Sequence, residues 1–236
     1  MTHYRLPNLP NKLHTATLIE ASQGGDNLIA YLARLSAPQN QARMQELSGA
    51  DDEADKEELR LLTVRLIKQC IRDGHFSILE MANMTVVVKT SLDIAAQMLR
   101  HKSLHFQQFS QRYAKVKSGS IEMPELRTAA SSSREPSFDG VDYHDLEARA
   151  KGLLDACESF YMDAVSRGVA KESARKFLPV QTSTLLAVNG NVRDWFFYLK
   201  SRTDEHAQYE HQLVANSVLE IFKDCYPTVA LAGAFE

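Results

Sequence analysis

Apolar residues change their period several times along this chain, and each change marks an element. β-Branched and apolar residues cluster between Leu13 and Ala21, which predicts a strand over 13–21. Gly24-Gly25 breaks that run, and Asp26 stands where it would cap a short helix over 27–35. Residues 38–55 are polar and acidic and read as a surface loop or a short helix. From Lys56 the period turns helical: Leu59, Leu62, Leu66, Ile67 and Cys70 share one face, and Gly74 supplies the stop. Met81 to Thr90 then alternates. Ala82, Met84, Val86 and Val88 fall on one side, and Asn83, Thr85, Val87 and Lys89 on the other, as a strand requires.

Ser91 is a good N-cap for a helix over 92–101, with Ile94, Ala95, Met98 and Leu99 on its core side. Arg100 and His101 fall at its C-terminal end, where cations suit the helix dipole. Beyond it an extended reading sets Phe106, Gln108, Ser110 and Arg112 on one face. Residues 115–140 hold glycine, proline and the run Ala129 to Ser133. They read as a long loop, long enough to suggest a lid. Helices follow over 143–166, 171–178, 192–200 and 204–224, with Asn191 and Thr203 as caps and Gly168, Pro179 and Pro227 as stops. Ala207, Val214, Val218, Ile221 and Phe222 form the apolar stripe of the last one. Without repeats or a second composition regime, the simplest account is one α+β domain over 1–236.

Composition narrows the function more than the fold. A chain of 236 residues with 44% hydrophobic and 24% charged residues can bury a sizeable core. The net charge of −3 carries no global bias toward nucleic acid. No apolar run approaches a membrane span, and Met1 to Arg5 lacks the apolar core of a signal peptide. Cys70, Cys157 and Cys225 are odd in number and widely spaced, which suits a reducing cytoplasm and structural roles. Gly-rich phosphate loops, a Gly-x-Ser-x-Gly elbow and metal-ligand spacings are all missing; His206 and His211 are five apart, a poor helical match.

Three segments are chemically loaded. Leu99 to Tyr113 packs cations, imidazoles, carboxamides and hydroxyls together, with Gln97 just ahead. Gln108, Ser110 and Arg112 form a set suited to phosphate and amide recognition. Arg175 lies on a short helix truncated by Pro179, and taken alone it reads as a surface arginine. Arg193 and Arg202 bracket the Trp195 helix. Their plainer reading is an Arg–Asp pairing at helix ends, worth about 0–1 kcal/mol.

Together these blocks resemble the flavin-dependent thymidylate synthases. Arg100-His101-Lys102, seven residues and Ser110 resemble that family's Arg-His-Arg–x7–Ser signature, flanked by Gln97 and by Gln111-Arg112-Tyr113. Gly74-His75 with Glu80, the Ala174 to Pro179 segment, and Asn191-Val192-Arg193 through Arg202 to His206-Ala207-Gln208 match in order and spacing. The likeness covers about residues 13–230.

The resemblance implies a mixed α+β subunit with a central antiparallel sheet flanked by long helices. It also implies a cytoplasmic homotetramer with active sites at subunit interfaces. The implied reaction is reductive methylation of dUMP to dTMP. Methylenetetrahydrofolate supplies the carbon, NADPH reduces FAD, and no cysteine attacks the pyrimidine. Arg202 corresponds to the catalytic arginine at the uracil ring. Gln97, Arg100, Gln108, Ser110, Arg112, Arg175 and Arg202 correspond to the dUMP set. Ser77, Arg100, His101, Lys102, Gln108, Asn191 and Arg193, with His75 and His206, correspond to the FAD set. A metal, a nucleic acid and a membrane have no part in it. The chain departs at Lys102, which keeps a charge but loses a planar fork, and at His105, Gln108 and Phe197. A related flavoenzyme acting on another pyrimidine nucleotide would show nearly the same residues. An inactive nucleotide-binding paralogue is motivated by Lys102 and His105, and a nucleic-acid module would use the Arg100–Arg112 cations.

Overall fold

Four antiparallel strands, in the order β1-β2-β4-β3, form the frame on which everything else is hung. The computed structural model describes residues 7–49, 51–131, 136–138 and 142–235. Strand β1 (Thr15–Ala21) leads through α1 (Gly25–Ala33), α2 (Pro38–Ser48) and α3 (Glu53–Arg72) to a 3-10 turn, Phe76–Met81. Strand β2 (Asn83–Ser91), α4 (Leu92–Met98) and β3 (His105–Gln108) follow. After a long connection come α5 (His144–Ser166), α6 (Lys171–Ala174), β4 (Ser183–Asn191), α7 (Val192–Arg202), α8 (Tyr209–Cys225) and α9 (Pro227–Ala232).

Paired residues of neighbouring antiparallel strands point to the same face, so the register defines the core. Leu18 pairs with Val86 and Val86 with Val188, while Met84 pairs with Gly190. Met84, Val86, Val88, Leu186 and Val188 are all fully buried beneath α4, α7 and α8. The expected alternation of Ala82, Met84, Val86 and Val88 is this face. Trp195 is sealed there too: its indole N–H donates to the Met84 carbonyl at 2.9 Å. A second cluster joins Ala30, Met44, Leu47 and Leu59 on α1, α2 and α3. A third packs Val116 against Tyr161, Ala164 and Ala174.

Several expectations need correction. Strand β4, central in the sheet, was not foreseen. Its Asn189 and Gly190 weaken the strand pattern, and a Cβ on Gly190 would run into Leu104 Cδ2, which would have to shift. For residues 38–55 the short-helix alternative holds over 38–48, as α2 with Pro38 in its first turn, while α3 begins at Glu53, ahead of the expected Lys56. Asp26 does not cap the helix over 27–35; Gly24 stands at that cap. Asp26 is buried inside α1 and accepts the Thr228 N–H at 2.6 Å, serving the N-terminus of α9 instead. The adjoining Gly25 has φ +47, and a Cβ on it would meet the Cys225 carbonyl at 2.7 Å.

Ser91 does sit at the N-cap of α4, but its hydroxyl donates to Asp93 rather than accepting a backbone N–H. Helix α4 ends at Met98, so Arg100 and His101 follow it rather than close it. Thr203 caps the C-terminus of α7, and α8 begins only at Tyr209. Strand β3 stops at Gln108; the Tyr113 and Ala114 N–H groups return to the Ser110 carbonyl in a turn. Ser110 and Arg112 therefore do not share a strand face with Phe106 and Gln108. In the expected loop over 115–140, residues 132–135 and 139–140 lie outside the described residues. The described part has neither helix nor strand and makes single bridges at Ile121–Thr182 and Thr128–Phe138.

Candidate nucleotide and cofactor site

Most of the predicted site residues fall into three patches, with His206 and Arg112 outside them. The first is a cleft of about 380 Å³ lined by Leu92, Gln108, Phe109, Ser110, Gln111 and Arg175. The end of β3 delivers Gln108, whose carboxamide donates to Thr184 Oγ1 on β4 at 3.4 Å. The turn after β3 delivers Ser110, and the 3-10 turn after α6 brings Arg175 from far along the chain. Arg175 is exposed, as its segment suggests, and it also lines this cleft. Gln111, only 6% exposed, has a buried Nε2 without a partner. Arg112 does not line this cleft. Its Nε lies 4.0 Å from Glu172, and its guanidinium stacks over Tyr113.

The second patch lies where α4, α7 and α8 meet. Asn191 starts α7 with a reciprocal cap: it accepts the Asp194 N–H at 2.9 Å while Asp194 accepts the Asn191 N–H. Three turns later Arg202 ends α7 half-buried, with its Nε fully shielded and without an acceptor. Its charge bears on His101, His211 and Tyr198. Burial, then Arg202, lowers the His101 pKa, and burial raises that of Tyr198. Burial, then Arg202 and His101, brings His211 down to about 4. The His101 ring meets Tyr198 edge-on at 5.5 Å. His211 Nε2 lies 3.1 Å from the Tyr198 hydroxyl, and its Nδ1 lies 3.2 Å from Gln97 Oε1. Gln97 in turn donates to Gln208 Oε1 at 2.5 Å. Arg100 and Lys102 stand exposed at the rim.

The third patch joins the 3-10 turn Phe76–Met81 to the start of α7. Glu80 forms an ion pair with Arg193, and Phe76 packs edge-on against Phe197 at 5.0 Å. Ser77 is exposed on that turn, His75 stands at its start, and Asn191 pairs with Asn83 across the strands. His206 lies apart, bonded to Asp204. It lines a cavity of about 480 Å³ with Arg127, Gln208 and Tyr209, and Arg127 stacks on the Tyr209 ring at 4.2 Å.

Sequence reasoning missed Tyr198, His211 and Gln208. A signal existed for His211: it falls on the apolar stripe of α8 that holds Val214, Ala215, Val218 and Phe222. A histidine there must find buried partners. Cys70, Cys157 and Cys225 are free thiols, none of them lines the cavities above, and burial raises the pKa of Cys70 and Cys225. Among the described residues no cluster of histidine, cysteine and carboxylate has the make-up of a metal site.

The fold is shared with solved proteins. A UMP/dUMP methylase PolB from Streptomyces cacaoi, bound with 5-bromo-UMP, superposes with a TM-score of 0.76 over 92% of each chain. At 23% identity that likeness concerns the fold alone. Sequence relatives are nearer. A "Probable flavin-dependent thymidylate synthase" of Paramecium bursaria Chlorella virus 1 is 38% identical, covering 92% of this chain and 94% of its own. A flavin-dependent thymidylate synthase of a Synechocystis strain is 36% identical over 88% of each chain. The family model described as thymidylate synthase complementing protein matches residues 17–228, which include all three patches. The chain belongs to the family of flavin-dependent thymidylate synthases.

Proposed function

We propose that this enzyme methylates dUMP to dTMP, taking its carbon from 5,10-methylenetetrahydrofolate and its reducing equivalents from NADPH through FAD. The observation that carries the reading is Arg202: a shielded guanidinium nitrogen, unpaired within the subunit, beside His101. Buried donors in native proteins are nearly always satisfied, so an unpaired one calls for a partner from outside the subunit's own side chains, which a ligand or an ordered water supplies.

In this reading Ser110 and Arg175, with Gln108, hold the nucleotide phosphate in their common cleft, and Arg112 belongs to the same dUMP set, as the family resemblance implies. Gln97 and Arg100 orient the rest of dUMP. Arg202 sets its charge against the pyrimidine ring and favours the electron-rich form that attacks the one-carbon unit at C5. A guanidinium already in position needs no reorganisation, which makes such a contribution large. His101 has a lowered pKa, so at neutral pH it offers a hydrogen bond rather than a second charge beside Arg202.

The donor set fits FAD. Lys102, Arg193 and Arg100 suit a pyrophosphate; Ser77, Asn191, Gln108, His75, His101 and His206 offer neutral donors and acceptors. When bound, the flavin supplies the hydride that completes the methyl group, and the carbon carrier leaves as tetrahydrofolate. In this reading the enzyme is a homotetramer whose sites draw on more than one chain, as the family resemblance implies. A cytoplasmic setting suits three free thiols. Among the described residues no helix is long and apolar enough to cross a membrane. Absorbance of the purified protein tests the reading. A flavin spectrum bleached by NADPH is expected, and a colourless protein that takes up no FAD would overturn it.

A further inference from the structure

Five side chains form one hydrogen-bonded line from the core to the rim of the second patch: Tyr198, His211, Gln97, Gln208 and Glu210. The distances along it are 3.1, 3.2, 2.5 and 3.0 Å. Its direction follows from elementary chemistry. The Glu210 carboxylate can only accept, so Gln208 turns its amide nitrogen toward it. That turns Gln208 Oε1 toward Gln97, which must then donate through Nε2. Gln97 Oε1 is left facing His211 Nδ1, which must carry the imidazole proton. Nε2 of that ring is then a bare acceptor, and the buried Tyr198 hydroxyl donates to it. His211 and Tyr198 are both fully buried, so the far end of the line cannot exchange partners with water.

We propose that Glu210, acting through Gln208, and His211, backed by Tyr198, lock the Gln97 carboxamide so that it offers the nucleotide an N–H donor. Gln97 Nε2 carries two hydrogens, and Gln208 takes one. The other is available for an acceptor oxygen of the ligand, a base carbonyl or a sugar oxygen. A freely rotating carboxamide would spend part of its time presenting its oxygen, which repels such a group. Glu210, Gln208, His211 and Tyr198 are therefore positioning residues, and only Gln97 touches the nucleotide. The proposal rests on the reading of Gln97 as a dUMP contact.

The test is dUMP binding and turnover by the FAD-loaded enzyme, with Glu210→Gln as the key variant. Glutamine there can donate as well as accept, so Gln208 and Gln97 lose their fixed sense. The expected result is a Kd and KM for dUMP raised about three- to tenfold, the effect of one hydrogen bond. FAD content, melting temperature and kcat should stay near wild type. A second variant separates polarity from packing. Gln208→Glu combined with Glu210→Gln restores an obligate acceptor beside Gln97, and KM should return toward the wild-type value. Wild-type dUMP affinity in Glu210→Gln, or no recovery in the double variant, would overturn the proposal alone. Absence of dUMP binding by the wild-type enzyme would overturn the reading of the cleft and this proposal with it.

Discussion

The Tyr198 hydroxyl lies 3.1 Å from His211 Nε2, with both side chains fully buried and Arg202 close by. A histidine held this way folds as the neutral ring, and its pKa of about 4 lies below the free value of 6.5. The unfolded chain therefore binds more protons at this position between the two values. Stability from this residue is complete above the free value and is lost as pH falls toward about 4, by about 3 kcal/mol in all. Urea unfolding from pH 8 to pH 4 should show that loss, and His211→Gln should show a shallower one. Equal slopes would contradict it.

Arg202→Ala should lower kcat for dTMP formation by about two to three orders of magnitude, the usual cost of removing a positioned charge donor. FAD should remain bound, because Arg202 is not among the groups assigned to it. Steady-state turnover and flavin absorbance on the same sample check both halves.

The cleft makes a separate demand on the nucleotide's phosphate. Arg175→Ala should raise KM for dUMP at least about tenfold, and Ser110→Ala about threefold. Binding of deoxyuridine, which lacks the phosphate, should be unaffected by either change. Equal losses for nucleotide and nucleoside would place the phosphate elsewhere.

Asp26 makes a prediction about folding alone. Its carboxylate accepts the Thr228 N–H at the start of α9, while burial raises its pKa. Asp26→Ala should cost about 0.5–2 kcal/mol by loss of the cap. Asp26→Asn keeps an acceptor without the buried charge and should be at least as stable as wild type near neutral pH. A raised pKa means this group's contribution weakens as pH climbs from 3.8 through the folded value, and the asparagine variant should lack that decline. Thermal denaturation against pH measures both.

The legible parts of the fold were those in which one period ruled a long segment. Met84, Val86 and Val88 announced β2, and Leu59 and Ile67 announced α3. Strand β4 was hidden because its central position depends on partners on both sides, while Gly190 and Asn189 look like turn residues locally. The end of β3 was misread for the opposite reason. Alternation continues through Arg112, but the backbone turns at Ser110 to form the cleft. Among the site residues, Gln108 and Ser110 were readable from one segment. Arg175 was not, since only the chain's return from α6 brings it to them. Gln208 falls in a family-matched block, but its role and that of Glu210 depend on the order of donors and acceptors in space.

The deciding measurement is dTMP formation by the purified enzyme given FAD, NADPH, methylenetetrahydrofolate and dUMP. dTMP and tetrahydrofolate should form in equal amounts, with none when FAD is withheld. Flavin oxidation coupled to dCMP but not dUMP, or NADPH consumed without any dTMP, would contradict the proposed reaction.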